Sequence, residues 1–307
     1  MPILRDAEAA THRIAQDVSL RQVVVVGAGT MGAGIAGVFA RAGWVTWLHD
    51  VDPAVIERGI GRVGRDWERA VARGTLDAGQ LAAAASNLRP ATDLLTVLPT
   101  VTVVVEAIVE REDAKAALFA TVGTHAAPDT LIASNTSSIS ISRLASHVAG
   151  PGRVLGLHFF NPVSSLPLVE VVRGAETTDE VVGQASEIVR GIGKTPVVVS
   201  DAPGFVGNRI LLPMINEAIL CLEQGVADRE SIDAVMTLGM MHPIGPLALA
   251  DLIGLDVCLA ILEVLHRDLG QEKYRPAPSL SEMVAAGKLG RKSGEGFYAY
   301  GGTRTGP

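Results

Sequence analysis

A strand, a glycine-rich turn and a helix follow one another near the start of this sequence, and this order constrains the fold more than any other feature. Residues 23–26 are four consecutive valines, a pattern typical of a strand buried on both faces of a parallel sheet. The alanine-rich stretch after the turn predicts a helix that ends near Gly43. The turn itself reads Gly27, Ala28, Gly29, Thr30, Met31, Gly32. We therefore expect helices packed on parallel strands.

The glycine spacing matches a turn that binds the pyrophosphate of a dinucleotide. The first glycine permits the bend, the second lets the backbone approach the phosphates, and the third allows close packing of helix on strand. Asp50 follows a second predicted strand (44–49), 23 residues after Gly27, which suits an acid that hydrogen-bonds the ribose 2′-OH. Because that acid would repel a 2′-phosphate and no arginine follows before Arg58, NAD is favoured over NADP. A purely structural glycine turn is the alternative.

Strands and helices alternate as far as residue 200, which predicts an α/β domain with a Rossmann-type doubly wound, mostly parallel sheet. The further predicted strands are residues 101–105, 131–133, 153–160, 168–172 and 197–200. Ligands of such sheets bind at the carboxyl ends of the strands. Polar groups stand at three of these ends, at Glu106, residues 134–138 and residues 158–162, so these groups are site candidates.

The last third of the sequence has the pattern of amphipathic helices. Helices are predicted over residues 208–224, 228–238, 246–253, 256–269 and 279–287. The chain is therefore divided into an N-terminal extension (1–22), a dinucleotide-binding domain (23–200) and an all-α C-terminal domain (201–307). Its apolar helix faces predict burial against a second copy, hence a homodimer; one such face is formed by Ile215, Ala218, Ile219 and Leu222.

Composition excludes several classes of protein. With 307 residues, 48% hydrophobic and 19% charged, the chain can bury a large core and is not a disordered protein. No apolar run reaches the roughly 18 residues that a membrane span needs, and the first 22 residues lack the apolar core of a signal peptide. A net charge of −7 argues against nucleic acid. Only two cysteines occur, so a cytoplasmic protein without disulfides is expected. We predict no metal site.

Five arginines are spaced so that they fall on one face of a predicted helix. They are Arg58, Arg62, Arg65, Arg69 and Arg73. A solvated helix face, with acidic residues interleaved, is one interpretation. The other is a surface that attracts a substrate carrying phosphate groups.

A nicotinamide enzyme needs a base to accept the hydroxyl proton as hydride leaves the neighbouring carbon, and histidine suits this role. Of the seven histidines, His158 lies near the end of a predicted strand, and Glu170 follows after a hairpin-like connection. A carboxylate behind an imidazole fixes its tautomer and stabilises the imidazolium. A structural hydrogen bond between the two residues is the alternative.

Four further segments resemble the L-3-hydroxyacyl-CoA dehydrogenase family, most closely its bacterial 3-hydroxybutyryl-CoA members. They are residues 134–138 (SNTSS), residues 158–162 (HFFNP) with 168–172 (LVEVV), residues 201–209 (DAPGFVGNR) and residues 290–298 (GRKSGEGFY). The resemblance extends from Val23 to Tyr300. It implies NAD-dependent interconversion of an L-3-hydroxyacyl-CoA and the 3-ketoacyl-CoA, in fatty acid metabolism.

The resemblance also implies roles for individual residues. His158 is the general base, Glu170 orients it, and Ser137 and Asn208 hydrogen-bond the reacting oxygen. Ser137 and Asn208 also contact the substrate, and the arginine helix faces the coenzyme A nucleotide, with Arg62, Arg65 and Arg69 as candidates. This helix departs from the family's lysine-rich pattern. The cofactor residues are Gly27, Gly29, Thr30, Met31, Gly32, Asp50, Glu110, Lys115, Ser137, Asn161 and Lys292.

Two alternatives stay open. The same chemistry can act on an acyl group carried by an acyl carrier protein, whose acidic surface would dock on the arginine face. A catalytically idle dinucleotide-binding protein, like the crystallin relatives of the family, is the other. The sequence leaves the acyl chain length and the physiological direction open.

Overall fold

The computed structural model describes residues 21–301, so residues 1–20 of the proposed N-terminal extension lie outside the described residues. The chain divides into two compact units, one ending at Asp201 and the other beginning at Ala202. No helix in residues 21–301 combines the length and the apolar character needed to cross a membrane.

The first unit is built on an eight-stranded sheet with the order β3-β2-β1-β4-β5-β6-β7-β8. The strands are β1 (Gln22–Val26), β2 (Val45–His49), β3 (Leu88–Ala91), β4 (Val103–Glu106), β5 (Leu131–Ser134), β6 (Val154–Phe159), β7 (Leu168–Arg173) and β8 (Thr195–Ser200). Strands β1 to β6 pair in parallel, β7 pairs antiparallel with β6, and β8 is parallel to β7. The predicted Rossmann-type fold class is confirmed.

Among residues 21–201, seven helices cover or border the sheet. They are α1 (Thr30–Arg41), α2 (Pro53–Ala72), α3 (Ala78–Asn87), α4 (Leu94–Val97), α5 (Glu112–His125), α6 (Ile141–Ala145) and α7 (Asp179–Gly191). The valines of β1 are fully buried, as a strand with helices on both faces requires. Helix α1 buries Ile35 and Phe39 in the same core as Val63 and Trp67 of α2.

The sequence patterns did not predict strand β3 or helix α3. Strand β3 reads Leu-Arg-Pro-Ala and has two exposed residues, so it lacks the β-branched apolar run that marks the other strands. Its pairing with β2 places it at the edge of the sheet, where a proline is tolerated. Tertiary pairing, rather than local propensity, makes this segment a strand.

The second unit is helical. Its helices are α8 (Gly207–Glu223), α9 (Arg229–Ala234), α10 (Pro246–Ile253), α11 (Leu255–Leu269) and α12 (Pro278–Ala285). A π-helical turn, Val235–Gly239, continues α9. The Asp228 side chain caps α9 by accepting a hydrogen bond from Ser231 N, and Gly225 follows α8 with a φ of 67°, as expected for a residue that ends a helix.

The homodimer was predicted from an apolar helix face, and the structure buries that face in its own unit. Ile215 and Ile219 are fully buried, and Ala218 is 8% exposed, in the core of their own unit. That interpretation of the face was therefore wrong. The most exposed large apolar side chains of this unit lie instead around the π-helical turn, where Leu238 is 84% and Met241 89% exposed.

The carboxyl-terminal segment of this unit is held by two buried carboxylates. Asp251 accepts hydrogen bonds from the Phe297 and Tyr298 amides and from the Tyr300 hydroxyl. Asp233 accepts one from the Tyr298 hydroxyl at 2.9 Å. Burial and the hydrogen bond to a carboxylate both raise the pKa of each tyrosine, because ionisation would place two negative charges together.

Candidate functional site

The glycine turn between β1 and α1 is tightly packed at its ends and open in its middle. A Cβ on Gly27, whose φ is +106°, would lie 2.4 Å from the Ala107 carbonyl oxygen, and one on Gly32 would lie 1.7 Å from the Gly27 oxygen. A Cβ on Gly29 would meet nothing within 4 Å. The two outer glycines are therefore required for packing, whereas the backbone at Gly29 leaves space for a ligand.

Helix α1 begins at this open place without a capping side chain. Gly29 is its N-cap residue, and the first turn contains no acidic residue. Thr30 is exposed and Met31 half-buried at the start of the helix. An uncapped helix N-terminus offers N–H donors and the positive end of a dipole to an anion. The surroundings of Gly29 thus fit the pyrophosphate of a dinucleotide.

Asp50 stands beside the same turn. One carboxylate oxygen, Oδ2, accepts a hydrogen bond from the Ala28 amide at 2.9 Å, and the other, Oδ1, accepts one from the Asp52 amide at 3.3 Å. The parallel pairing of β1 with β2 places Val26 opposite His49, so both strands end together. The half-buried Asp50 is thereby held next to the phosphate turn, as a ribose ligand would have to be.

His158 and Glu170 face each other across the one antiparallel junction of the sheet. They are register partners in β6 and β7, and His158 Nδ1 lies 2.7 Å from Glu170 Oε2. The residues are only 6% and 2% exposed. Since a carboxylate accepts hydrogen bonds, we assign the ring proton to Nδ1, which leaves Nε2 as the proton acceptor. The predicted pair therefore has the geometry of an oriented base.

A network of charges lies at the carboxyl ends of β4 and β5. The Lys115 side chain is 1% exposed, and its Nζ lies 2.5 Å from Glu106 Oε1 and 3.2 Å from Glu110 Oε2. Glu106 also accepts hydrogen bonds from the Ile108 amide and the Ser134 hydroxyl. The buried ammonium therefore joins a carboxylate that ends β4 to one in the following loop.

Glu110 holds the serine-rich loop after β5. It accepts hydrogen bonds from the Thr136 hydroxyl at 2.6 Å, the Ser137 amide at 3.0 Å and the Ser138 hydroxyl at 3.1 Å. Burial raises the pKa of Glu110, but the Lys115 charge and the hydrogen bonds from Thr136 and Ser137 outweigh it, so the pKa lies below its ordinary value. Glu110 is thus ionised at neutral pH and positions the Ser137 backbone.

Two residues to which the sequence analysis gave no individual role complete this arrangement. Asn135 Oδ1 accepts a hydrogen bond from the Phe159 amide at 2.9 Å, which ties the loop to the end of β6 next to His158. Asp201 accepts hydrogen bonds from Ser140 Oγ and from both the amide and the hydroxyl of Ser142. Asn135 lay within the flagged 134–138 cluster, whereas nothing in the sequence indicated that Asp201 holds the start of α6.

Three further predicted site residues are Asn161, Asn208 and Lys292. Asn161 is exposed just after β6. In the second unit, Asn208 is buried in the first turn of α8, and the Lys292 ammonium pairs with Asp256 of the same unit. The predicted roles of these three residues stay predictions.

The arginine stripe lies on α2 as predicted, with Arg73 one residue beyond the helix end. Its opposite face buries Ile56, Val63 and Trp67. Arg58, Arg65, Arg69 and Arg73 are exposed, whereas Arg62 is half-buried. Its Nη1 donates a hydrogen bond of 2.8 Å to the Thr30 hydroxyl, so one member of the stripe reaches the start of α1.

Two family models match consecutive parts of the chain. The model described as 3-hydroxyacyl-CoA dehydrogenase, NAD binding domain, matches residues 22–202. The model described as 3-hydroxyacyl-CoA dehydrogenase, C-terminal domain, matches residues 204–300. Together they account for almost all of the described residues.

Curated relatives and solved structures agree with these models. A probable 3-hydroxybutyryl-CoA dehydrogenase of Deinococcus radiodurans is 49% identical over 277 residues, which is 90% of this chain and 99% of the relative. One from Bacillus subtilis is 46% identical over 283 residues, 92% of this chain and 98% of the relative. The crystal structure of (S)-3-hydroxybutyryl-CoA dehydrogenase from Ralstonia eutropha superimposes with a TM-score of 0.89 at 43% identity, covering 92% of this chain and 100% of that one.

Proposed function

The chain belongs to the 3-hydroxyacyl-CoA dehydrogenase family and is an NAD-dependent oxidoreductase, and we propose that it interconverts short-chain L-3-hydroxyacyl-CoA, of the 3-hydroxybutyryl-CoA type, and 3-ketoacyl-CoA. The observation that carries the proposal is the His158–Glu170 pair, with 2.7 Å between Nδ1 and Oε2. The short acyl chain is supported by the names of the similar proteins, which are 3-hydroxybutyryl-CoA dehydrogenases.

The open backbone at Gly29, the uncapped start of α1 and the half-buried Asp50 fit NAD. When bound, NAD accepts a hydride from C3 of the hydroxyacyl group. The residues proposed to hold it at the turn are Gly27, Gly29, Thr30, Met31, Gly32 and Asp50. Glu110, Lys115, Ser137, Asn161 and Lys292 complete the proposed set on the family resemblance.

In the oxidation direction, His158 Nε2 accepts the proton of the substrate hydroxyl as hydride leaves C3. The imidazole becomes positively charged, and the Glu170 carboxylate at Nδ1 stabilises that charge and keeps the ring in one orientation. Both side chains are almost fully buried, so the pair acts in a medium that strengthens its electrostatic interaction.

Ser137 is assigned to the reacting oxygen of the substrate. A neutral hydroxyl donates to a developing alkoxide or carbonyl oxygen without competing for the proton. Glu110 holds the Ser137 amide, and Asn135 ties the loop to the backbone beside His158, so the loop and the base are linked through the protein. Asn208 is assigned to the same oxygen because its motif matches that of the family.

Arg65 and Arg69 are proposed to attract the phosphates of coenzyme A, since both are exposed on one side of α2 in a chain of net charge −7. We further propose a cytoplasmic homodimer. Cys221 and Cys258 are free thiols, as in a reducing compartment. Leu238, Met240 and Met241 are exposed and together form an apolar patch that a second copy would cover.

The proposal is tested by NADH oxidation with acetoacetyl-CoA, set beside the same acyl group on an acyl carrier protein and beside longer 3-ketoacyl-CoA substrates. We expect the highest kcat/KM with acetoacetyl-CoA and a preference for NADH over NADPH. Turnover only of the carrier-bound substrate would replace our proposal with the biosynthetic alternative, and absence of turnover with every substrate would indicate an idle dinucleotide-binding protein.

The dimer is tested separately by light scattering at micromolar concentration. We expect twice the mass of the 32.0 kDa chain, and we expect Leu238→Glu to halve it. A monomeric mass for the unmodified protein would contradict the dimer without bearing on the chemistry.

A further inference from the structure

Arg62 differs from Arg58 and Arg69 on α2 in what it contacts. Arg58 lies 3.9 Å from Asp52 and Arg69 lies 3.2 Å from Asp66, each in an ion pair. Arg62 donates instead to the neutral Thr30 hydroxyl. Within residues 21–301 its guanidinium has no carboxylate partner inside the 4.0 Å limit of an ion pair. Among the described residues, it is therefore a half-buried cation without an ion-pair partner.

The position of Arg62 follows from the close packing of α2 on the glycine turn. Gly59 is buried, and a Cβ there would lie 2.9 Å from the Ala28 carbonyl oxygen, so only a glycine lets the helix come this near. Arg62 follows three residues later and lies on the same side of the helix. The approach at Gly59 thus brings the guanidinium to Thr30, the first residue of α1.

The charges at this place favour an anion. The first turn of α1 has neither a capping side chain nor an acidic residue, and its dipole presents a positive end there. A guanidinium at the same position adds a full positive charge and a planar pair of donors that matches two phosphate oxygens. Without a ligand these positive groups repel each other, and a diphosphate would relieve the repulsion.

We propose that Arg62 binds the pyrophosphate of the dinucleotide rather than the phosphates of coenzyme A. The arginines of the stripe then have two functions. Arg62 binds the cofactor, whereas the exposed Arg65 and Arg69 remain available to bind coenzyme A. This proposal rests on the proposed function, because it takes the glycine turn as the NAD site.

The test distinguishes the diphosphate of NAD from that of coenzyme A. It uses NADH and ADP-ribose, which contain only the first of these two groups. Dissociation constants for NADH and for ADP-ribose are measured by calorimetry on the whole protein with Arg62→Ala, Arg62→Lys and, as a matched surface control, Arg190→Ala. Arg190 lies on α7 and pairs with Glu187. Loss of one charge-assisted hydrogen bond predicts roughly tenfold weaker binding of both ligands to Arg62→Ala. The dissociation constants of Arg62→Lys should lie between those of Arg62→Ala and the unmodified protein, and those of Arg190→Ala should equal those of the unmodified protein.

The second measurement addresses coenzyme A. At saturating NADH, kcat/KM is compared for acetoacetyl-CoA and for S-acetoacetylpantetheine, which lacks the nucleotide. The proposal requires Arg62→Ala to leave the ratio of these two values within about twofold of the unmodified protein. If Arg62→Ala lowers the ratio of kcat/KM for acetoacetyl-CoA to that for S-acetoacetylpantetheine while NADH binding is unchanged, Arg62 contacts coenzyme A and the proposal is overturned.

Failure of this proposal is distinguishable from failure of the proposed function. Turnover of acetoacetyl-CoA with NADH by the unmodified protein tests the function alone. If that turnover is present and Arg62→Ala binds NADH and ADP-ribose within twofold of the unmodified protein, only the role of Arg62 is wrong.

Discussion

Each compact unit contains a glycine-rich motif, and Gly29 of the first motif differs from Gly290 and Gly296 of the second in what surrounds it. In the first unit, Gly29 faces open space beside an uncapped helix start. In the second, a Cβ on Gly290 would lie 2.3 Å from the Asp251 carbonyl oxygen, and one on Gly296 would lie 1.9 Å from Asp251 Oδ1. At Gly29 the first motif leaves space for a ligand, whereas the second motif closes the backbone around a buried carboxylate. Similar composition therefore does not imply a similar role.

Adding one methyl group to each motif tests the difference between them. Gly296→Ala should lower the free energy of unfolding by about 3 kcal/mol or more, because the new Cβ collides with a buried carboxylate. Gly29→Ala, at a φ of −66°, should change it by less than about 1 kcal/mol and instead weaken NADH binding at least roughly tenfold. Urea unfolding and NADH fluorescence titration measure the two effects. Equal losses of stability would contradict the contrast.

The two units also differ in how their lysines are paired. Lys115→Met should destabilise the protein by about 3–5 kcal/mol, since it leaves Glu106 buried without its cation. Lys292→Met removes a pair whose side chains are 45% and 39% exposed, so a loss of at most about 1 kcal/mol is expected. Thermal unfolding of both variants gives the ranking. A smaller loss for Lys115→Met than for Lys292→Met would show that the buried network is not structural.

His158→Gln separates chemistry from folding inside the first unit. Turnover of acetoacetyl-CoA should fall by ~10²–10⁴ because the acid–base residue is lost, which in this reduction direction donates a proton to the substrate carbonyl oxygen, while the NADH dissociation constant stays within about twofold. Stopped-flow assays at saturating NADH measure the first quantity and fluorescence titration the second. Unchanged turnover would remove His158 from the role of base.

The smallest expected effects concern how stability depends on pH. Groups in different units set the acidic and the alkaline limits of that stability. The folded-state pKa of Glu110 is lowered, so its contribution to stability is present above its unfolded value of 4.5 and is lost as pH falls through the folded value. Tyr298 and Tyr300 have raised pKa values. Their contribution is present below their unfolded value of 10.0 and is lost as pH rises through the folded values.

Urea midpoints between pH 3 and pH 11 test this assignment. Glu110→Gln should flatten the acidic part of the profile alone, and Tyr298→Phe combined with Tyr300→Phe should flatten the alkaline part alone. If Glu110→Gln changed the alkaline part of the profile, or the tyrosine variant changed the acidic part, the groups responsible would have been assigned to the wrong unit.

Much of the first unit could be predicted because local pattern and tertiary environment agree there. The valines of β1 and β4 are apolar enough to indicate burial on both faces, and the order of strand, glycine turn and helix has few structural solutions. The pairing of His158 with Glu170 could also be anticipated, since β6 and β7 are joined by a short connection. Strand β3 could not be predicted, because its Leu-Arg-Pro-Ala sequence has no strand propensity and pairing with β2 alone defines it.

In the second unit the helices were predictable, but the use of their faces was not. An apolar stripe such as the one containing Ile215 and Ile219 has the same sequence pattern whether it meets its own core or a second copy. The tertiary structure shows that these residues face their own core. The exposed apolar patch at Leu238 and Met241 had no periodic signal, because it lies on a π-helical turn and the residues that follow it.

The sequence by itself determined the Rossmann-type fold and the helical nature of the last third, and it gave candidate residues for NAD binding and for the base, because these depend on local order and residue chemistry. Only the tertiary structure decided that Lys115 is a buried bridge between Glu106 and Glu110, that Glu110 holds the Ser137 loop, and that Arg62 leaves the stripe to meet Thr30. Each of these depends on distances between segments that lie far apart in sequence. The register of the strands and the closeness of helix packing set those distances, and no local pattern specifies either.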